Sequence, residues 1–304
     1  MMLLLTIVSS VLAATLLWRA LMARRAERAS SARFAVNADG IIIGAEPITL
    51  GPPRATHAAL LFHGFGDTPR TLEYAAAELH TRGYSVLAPL LPGHGRSLRL
   101  FAESRAEQWL DFARDSYREM CERYEHVSLV GLSMGGALAT LLAAEATNLP
   151  ALVLVAPYLD APTYVRWLGR MHLPISVWAP YLRGKNVQSI HDDAERARSL
   201  AYGGMTARNL RELTWLADQA RAALPRVKAP TLIVQSREDN RVAAAVAESA
   251  YEALCAQPKR LVWVQGCGHI ITVDRCRAEV LQHVCAWLDE HAQGEGGARS
   301  ALRA

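Results

Sequence analysis

Residues 127–139 read VSLVGLSMGGALA, and this stretch decides the fold. It opens with a largely apolar run that ends at Leu132, as in a strand that is buried on both faces. Ser133 follows at the centre of a G-x-S-x-G sequence, and small residues that favour a helix come directly after it. A strand, a serine in a sharp turn and a helix, in this order, predict a nucleophile elbow in which the serine Oγ projects from the end of the strand.

Strand-like and helix-like stretches alternate on both sides of the elbow. Short apolar runs cover 58–62, 84–90, 127–132, 151–155, 231–235 and 260–264, and amphipathic stretches cover 69–82, 106–124, 134–147, 241–256 and 276–290. This alternation predicts an α/β fold with a mostly parallel central sheet and helices on both of its faces. We expect the earlier segment, 34–50, to add antiparallel strands at one edge.

The long interval between Val155 and Thr231 contains no clear strand. We interpret about 158–205 as a cap inserted into a single domain that covers 34–291, and 206–224 as a helix that returns to the sheet. The cap is rich in aromatic residues and carries one methionine among them: Tyr158, Tyr164, Trp167, Met171, Trp178, Tyr181 and Tyr202. These side chains either pack the cap onto the sheet or line an apolar channel. The glycine- and alanine-rich tail, 292–304, is expected to be disordered.

The chain has 304 residues, of which 51% are hydrophobic and 20% are charged. This composition excludes disorder for most of the chain and supplies a large core. The formal net charge of +4 is carried entirely by residues 1–33, which contain five arginines and a single glutamate. The remainder is neutral, so we expect no nucleic-acid partner.

Residues 1–18 contain no charged side chain and read MMLLLTIVSSVLAATLLW. A helix of this length spans about 27 Å, close to the thickness of the hydrocarbon layer of a membrane. Because the arginines follow the apolar run, the positive-inside rule favours an inner-membrane anchor and basic linker over 1–33, with the rest of the chain on the cytoplasmic side. The alternative is a secretory signal that is cleaved near Val11–Leu12–Ala13, which would export the protein.

The five cysteines are Cys121, Cys255, Cys267, Cys276 and Cys285. Their number is odd and no C-x-x-C spacing occurs, so we expect neither a disulfide framework nor a zinc site. Cys121, Cys255 and Cys285 fall in apolar helical patterns and are interpreted as small core residues. This pattern favours a reducing compartment.

A serine hydroxyl needs a histidine base, itself oriented by an acid, before it can attack a carbonyl carbon near neutral pH. His269, in the sequence GCGHIITVD, follows the last apolar run and precedes the last helical stretch. Asp239, in SREDNRV, follows the apolar run before that one. Both are therefore expected at the sheet edge where Ser133 emerges. Glu238 and Asp160 are rival candidates for the acid.

The residues His63, Gly64 and Phe65 come directly after the first buried run. The glycine allows close approach of the backbone, so the N–H of Phe65 is expected to point at the nucleophile. Together with the N–H of Met134, this donor is expected to form an oxyanion hole. His94, in the tight turn PGHG, is interpreted as a structural histidine.

Six stretches carry a family resemblance between about 56 and 291: LFHGFGDTPRTL (61–72), GYSVLAPLLPGHG (83–95), the helical stretch around Trp109, LVGLSMGGALA (129–139), APTLIVQSREDNRV (229–242) and GCGHIITVD (266–274). They resemble the α/β-hydrolase superfamily, in particular the branch of bacterial monoacylglycerol lipases and small carboxylesterases, while the cap matches weakly. The resemblance implies that Ser133 is the nucleophile, Asp239 the orienting acid and His269 the base. It also implies that Phe65 and Met134 supply the oxyanion amides.

The implied reaction is ester hydrolysis in two steps, through an acyl-enzyme on Ser133. Monoacylglycerol or a similar lipid ester is the expected substrate, because an apolar cap and a membrane segment suit an acyl chain. A short- or medium-chain carboxylesterase and a thioesterase stay open as alternatives, since one triad serves several reactions. A catalytically silent hydrolase fold that acts as a binding protein is the non-enzymatic alternative. No metal or organic cofactor is expected.

Overall fold

The computed structural model describes residues 1–51, 55–184 and 189–292. Its strands are β1 (Ile48–Leu50), β2 (His57–Phe62), β3 (Ser85–Ala88), β4 (His126–Leu132), β5 (Leu152–Val155), β6 (Leu182–Arg183), β7 (Gly204–Met205), β8 (Thr231–Ser236) and β9 (Lys259–Val264). Its helices are α1 (Met2–Ser31), α2 (Glu73–Thr81), α3 (Leu98–Glu103), α4 (Ala106–Arg123), α5 (Met134–Glu145), α6 (Thr163–Arg170), α7 (His172–Trp178), α8 (Asp193–Ala197), α9 (Ala207–Ala223), α10 (Ala244–Ala253) and α11 (Arg277–His291).

One large sheet organises the described part of the chain, with its strands in the order β1-β3-β2-β4-β5-β8-β9. β1 runs antiparallel to β3, and every other neighbouring pair in this sheet is parallel. The predicted α/β fold is confirmed, and the segment 34–50 supplies the antiparallel edge strand. Because the inner strands are parallel, the loops that follow their carboxyl ends lie side by side at one edge of the sheet.

Helices cover both faces of the sheet. α2 and α11 pack on one face, while α4, α5, α9 and α10 pack on the other. The bulkiest buried side chain on each face is a tryptophan, Trp287 or Trp109. Each indole N–H lies within hydrogen-bonding distance of a proline carbonyl, that of Pro230 at 3.5 Å and that of Pro92 at 3.1 Å. Both rings therefore bury a large apolar area while their N–H groups keep a hydrogen-bond acceptor.

The insertion between β5 and α9 contains α6, α7, α8 and the two-stranded ribbon β6–β7. α6 packs closely on α9, because a Cβ atom on Gly169 would lie 3.0 Å from the Arg211 backbone. Tyr158 and Tyr202 are buried, in agreement with a packing role. In contrast, the side chains of Tyr164, Trp167 and Trp178 are more than half exposed, as is that of Leu173.

The first helix, α1, is exposed along its apolar part and packs against the insertion farther along. Its Glu27 carboxylate accepts a hydrogen bond from the Tyr181 hydroxyl at 2.7 Å. Just beyond the helix, the Arg33 guanidinium donates to the Tyr202 carbonyl at 2.9 Å. By length and composition α1 can cross a membrane, a property that signal sequences share.

The structure corrects the cysteine expectations. Cys267 and Cys276 form a disulfide, since the loop between them turns back and brings their Cα atoms to 5.8 Å. Of the three cysteines that were interpreted as core residues, Cys121 and Cys255 are exposed and Cys285 is buried as expected. The expected disordered tail begins at Ala292, and its remainder, 293–304, lies outside the described residues.

Candidate active site

Ser133 occupies a sharp turn between β4 and α5. Its backbone has φ 54° and ψ −114°, a conformation that L-residues rarely adopt and that costs about 1–3 kcal/mol. Neighbouring main chain holds it there: the Ser133 N–H donates to the Val155 carbonyl at 2.9 Å, and the Tyr158 N–H donates to the Ser133 carbonyl at 3.0 Å. The serine is thereby lifted out of the sheet at the carboxyl end of β4.

Two glycines make room for this turn. A Cβ atom on Gly131 would lie 2.3 Å from the Gly135 carbonyl oxygen. A Cβ atom on Gly135 would lie 2.0 Å from the Phe62 carbonyl oxygen. No side chain fits at either position, so the G-x-S-x-G spacing follows from the close passage of β4, α5 and β2.

His269 links the serine to a carboxylate. Its Nε2 lies 2.9 Å from the Ser133 Oγ, and its Nδ1 lies 2.7 Å from Asp239 Oδ2. Because Nδ1 faces the carboxylate, the neutral ring carries its proton there, which leaves Nε2 free to accept the serine hydroxyl. The imidazole and the carboxylate are both buried. The three residues that the sequence singled out therefore meet in one hydrogen-bonded chain.

Four donors surround the Asp239 carboxylate. Gln235 Nε2 donates to Oδ2 at 2.8 Å, and the main-chain N–H groups of Arg241 and Val242 donate to Oδ1 at 2.7 and 2.9 Å. Burial alone would raise the pKa of Asp239, but the charge and hydrogen bond of His269 and the two amides outweigh it and hold the pKa below its ordinary value. Asp239 therefore stays ionised beside the imidazole.

The rival acids lie elsewhere. Glu238 Oε1 accepts the Gly266 N–H at 2.8 Å. Asp160 pairs with Arg166, and it also pairs with Arg221 at 3.2 Å. The His269 Nδ1 contact is with Asp239.

The two predicted oxyanion donors flank the serine. A Cβ atom on Gly64 would lie only 3.5 Å from the Ser133 Cβ, which places the backbone before Phe65 beside the nucleophile. The Phe65 ring packs edge-on against Phe101. Met134 N–H opens α5 directly after the serine. Within the described residues, neither amide donates to another group, so both are available to an oxyanion.

His63 and His94 are structural, as predicted for His94. His63 Nδ1 lies 2.9 Å from the Gly64 carbonyl, and its Nε2 accepts the Leu91 N–H at 3.2 Å. Burial lowers the pKa of His63 to about 4 and that of His94 well below its ordinary value. Both rings therefore remain neutral and support the loop that carries Phe65.

A cavity of about 1090 Å³ lies under the insertion and opens onto Ser133 and His269. This volume slightly exceeds the range of about 300–1,000 Å³ that small-molecule sites show. Its apolar lining includes Phe65, Phe101, Tyr158, Val165, Leu168, Leu182, Ile190, Met205, Leu210, Leu213 and Ile270. Arginines and other polar residues line other parts of its wall: Arg33, Asp67, Arg183, Ser189, Arg196, Ser199, Asn240 and Arg241.

Sequence reasoning missed two polar residues of the site. Gln235 is the second-last residue of β8 and is fully buried, and Asp67 is buried in the cavity wall. For Gln235 the available signal was a glutamine at the end of a largely apolar run. For Asp67 it was a carboxylate two residues after Phe65. Burial raises the pKa of Asp67 to about 7, against the opposing effects of the Thr68 N–H, His269 and Arg70.

The chain matches, over residues 53–275, the α/β-hydrolase family model that is described as serine aminopeptidase, S33. The chain belongs to this family. The family expectation that the motifs carried is therefore confirmed. The matched range contains the elbow serine, the acid loop and the histidine loop.

Two curated relatives and one solved structure resemble most of the chain. It is similar to the thermostable monoacylglycerol lipase of Bacillus sp. (strain H-257), with 26% identity over 257 residues, which cover 83% of this chain and 97% of the relative. It is also similar to a carboxylesterase of Bacillus subtilis (strain 168), with 26% identity over 237 residues, or 77% of this chain and 92% of the relative. The structure is of a metagenome-derived lipolytic enzyme of the LipS and LipT study, with a TM-score of 0.73, 27% identity and coverage of 83% and 100%.

Proposed function

We propose that this protein is a serine hydrolase that cleaves carboxylic esters of lipids, with monoacylglycerol as the first candidate substrate. The observation that carries the proposal is the hydrogen-bonded chain from Asp239 through His269 to Ser133 at the wall of a largely apolar cavity. The ester-hydrolase class agrees with the family and with the activities that both curated relatives are named for.

The proposed reaction has two steps, acylation of Ser133 and hydrolysis of the acyl-enzyme, and the same residues act in both. His269 Nε2 takes the proton from Ser133 Oγ as that oxygen attacks the acyl carbon. The N–H groups of Phe65 and Met134 hold the oxyanion, a contribution of about 3–4 kcal/mol for a single donor. The imidazolium, stabilised by Asp239, then protonates the leaving alcohol. Water repeats the sequence on the acyl-enzyme and releases the acid.

The cavity supports an acyl chain rather than a polar substrate. Apolar side chains from the insertion and from α9, among them Val165, Leu168 and Leu213, form one part of its lining. Ser133 lies at the same cavity, so an ester bond at the end of an acyl chain reaches the nucleophile. A short- or medium-chain carboxylesterase and a thioesterase use the same machinery and are outcomes of the test below.

We also propose that α1 anchors the protein in a membrane. Residues 1–18 of the chain contain no charged side chain, and the apolar part of α1 is exposed. Trp178 in α7 lies beside it, since the Trp18 indole N–H is 3.4 Å from the Trp178 carbonyl. Trp167 and Trp178, at 57% and 70% exposure, place aromatic rings on the outside of the insertion, where a bilayer interface would receive them.

Two features disagree about the side of the membrane. The arginines after the apolar run favour a cytoplasmic catalytic domain, whereas the Cys267–Cys276 disulfide is typical of an oxidising compartment. We give the disulfide more weight, because it closes the loop that holds His269, and propose the oxidising side. A membrane-impermeant maleimide should then label the exposed Cys121 and Cys255 in intact spheroplasts. Labelling only after lysis would support the cytoplasmic side, and recovery of a soluble, shortened chain would support signal cleavage.

The proposed domain organisation has three parts. Residues 1–33 form the anchor and basic linker, and 34–291 form the hydrolase domain. The insertion that spans α6 to β7 serves as its cap, at about 158–205. The segment 292–304 is a tail.

The deciding experiment is a rate profile on the full chain in detergent micelles. Esters of increasing acyl length, monoacylglycerols, diacylglycerols, an acyl thioester and an aminoacyl anilide are compared, the last because of the family description. Monoacylglycerols should be turned over fastest, and Ser133→Ala should lose at least about a thousandfold in kcat while Ser116→Ala does not. Turnover of short esters alone, or a preference for the thioester, would replace the lipid assignment. Absence of turnover together with no labelling of Ser133 by a fluorophosphonate would favour the silent binding protein.

A further inference from the structure

The Asp274 carboxylate is fully buried and accepts hydrogen bonds from four main-chain N–H groups. Oδ1 lies 2.9 Å from the His191 nitrogen and 2.8 Å from the nitrogens of Asp192 and Arg275. Oδ2 lies 2.8 Å from the His191 nitrogen and 2.7 Å from that of Gly268. Hydrogen bonds to an ionised acceptor are among the strongest in proteins. The carboxylate therefore fixes each of these backbone positions.

The four donors come from two parts of the molecule. Gly268 and Arg275 belong to the histidine loop, where Gly268 directly precedes His269, whereas His191 and Asp192 lie within the insertion, just before α8. The Ser189 carbonyl strengthens the same junction, since it accepts the N–H groups of both His269 and Ile270 at 2.9 Å. The backbone on each side of the catalytic imidazole is thus tied to the insertion.

The junction extends to the acid loop. The Ser189 hydroxyl lies 3.3 Å from Asn240 Oδ1 and 3.0 Å from Arg241 Nε. Both of these residues follow Asp239 directly in the chain. Ile190, next to the tied segment, lines the cavity. One short stretch of the insertion therefore contacts the base loop, the acid loop and the space where substrate would lie.

We propose that Asp274 is a positioning residue for the reaction. By holding the Gly268 N–H it sets the height of the His269 ring between Ser133 and Asp239, and by holding His191 and Asp192 it couples that ring to the cap. The proposal rests on the proposed function, because it assigns Asp274 a role only through His269. An error of about 1 Å in the placement of a catalytic group can cost about a hundredfold in rate.

The test compares Asp274→Asn with Asp289→Asn in the full chain. The asparagine keeps the size of the side chain, but its amide NH₂ replaces one of the two acceptors and meets main-chain donors. Asp289 is an exposed carboxylate of α11 that pairs with Arg82 at 2.7 Å, so its variant has the same change in charge away from the site. The Cys267–Cys276 disulfide still closes the histidine loop in both variants.

Two readouts are taken on folded protein. The rate of Ser133 labelling by a fluorophosphonate should fall about a hundredfold in Asp274→Asn and stay unchanged in Asp289→Asn. The downfield proton resonance of the His269 Nδ1–H that Asp239 accepts should broaden or vanish in the first variant alone. A role confined to stability would lower the melting temperature and leave both readouts of the folded fraction unchanged, which would overturn the proposal.

A third measurement keeps the inference testable if Asp274→Asn does not fold. In the wild-type protein, amide hydrogen exchange of Gly268, His191 and Asp192 should be as slow as that of the buried strands. Exchange as fast as that of exposed loops would overturn the proposal that Asp274 holds these backbone positions. If wild-type Ser133 is neither labelled nor turns over esters, the proposed function fails, while the exchange rates and the His269 resonance still decide whether Asp274 holds the loop.

Discussion

Gln235 and His269 donate to the same oxygen of Asp239. The Gln235 Nε2 lies 2.8 Å from Oδ2, and the His269 Nδ1 lies 2.7 Å from it. Gln235 is fully buried at the end of β8, and in the described residues its Oε1 has no partner. A buried acceptor without a hydrogen-bond partner destabilises the folded protein. The contact with Asp239 therefore explains why the Gln235 amide lies in the core.

Replacing Gln235 by methionine should therefore slow catalysis more than it affects stability. The substitution removes the donor to Asp239 but also removes the orphan acceptor, so the two effects on the free energy of unfolding oppose each other. We expect kcat to fall about tenfold, the equivalent of one weakened hydrogen bond to a charged group. Steady-state kinetics and thermal melts of Q235M beside Q265M, a change at an exposed glutamine, would check this. A melting temperature that collapses with kcat retained would contradict it.

Gly135→Ala should prevent stable folding. A Cβ atom at that position would lie 2.0 Å from the Phe62 carbonyl oxygen, and both partners are backbone that cannot move aside. We expect a loss of more than about 4 kcal/mol, at the extreme of single substitutions. Gly83→Ala is the control, because Gly83 has φ +90° with nothing within 4 Å of an added Cβ. Its cost should stay near 1–2 kcal/mol, about the conformational penalty alone. Equal losses in urea unfolding would refute the steric argument.

The pH dependence of stability should carry the signature of Asp67. Burial raises the pKa of this carboxyl to about 7 in the folded protein, whereas an aspartate in an unfolded chain has a pKa of about 3.9. Between these values the unfolded state has released its proton and the folded state still holds it, so stability falls as pH rises through the window.

Asp67→Asn cannot ionise and should lack that fall. As the pH rises from about 4 to about 7, the free energy of unfolding of the variant should rise by a few kcal/mol relative to that of the wild type. Above that range the difference should stay constant. Urea unfolding at several pH values measures it, with Asp39→Asn, a change at an exposed aspartate, as the control. Parallel curves for wild type and D67N would show that Asp67 titrates normally.

Loss of the Cys267–Cys276 bond should destabilise the protein and loosen the base. The two cysteines are nine residues apart and close a loop that contains His269. For a loop of this size, chain entropy predicts a stabilisation of about 2–3 kcal/mol. The double variant C267S/C276S should lose that amount in chemical unfolding and should react more slowly with a fluorophosphonate. C121S should match the wild type, and a reductant should have no effect on the double variant.

The sequence predicted the elbow and the triad because their signals are local and the topology does the rest. Ser133, Asp239 and His269 follow the parallel strands β4, β8 and β9, and the carboxyl ends of parallel strands must meet at one edge. The remaining contacts of the site depend on the course of loops. No spacing rule shows that Asp274 turns back to Gly268, or that Cys267 meets Cys276.

The exposed aromatics show a second limit. Trp167 and Trp178 are large apolar residues of the kind that fill cores, and a sequence pattern alone cannot tell a ring that packs inside the chain from one that faces outward. α3 was not predicted, because its six residues are too few to show a helical repeat of apolar positions. Its start is capped by the Ser97 hydroxyl, which accepts the Leu100 N–H at 3.2 Å.

The contact between Glu27 and Tyr181 joins α1 to the insertion, so the helix sets how far the hydrolase domain stands from the membrane. With residues 1–18 embedded as proposed, the stalk from Arg19 to Ser31 is about 20 Å long. Adding one helical turn to the stalk before Glu27 would raise the cavity by about 5 Å. The accompanying rotation about the helix axis leaves the same face of the domain toward the lipid, because that axis crosses the bilayer. The length of the stalk thus sets the height of the cavity above the bilayer.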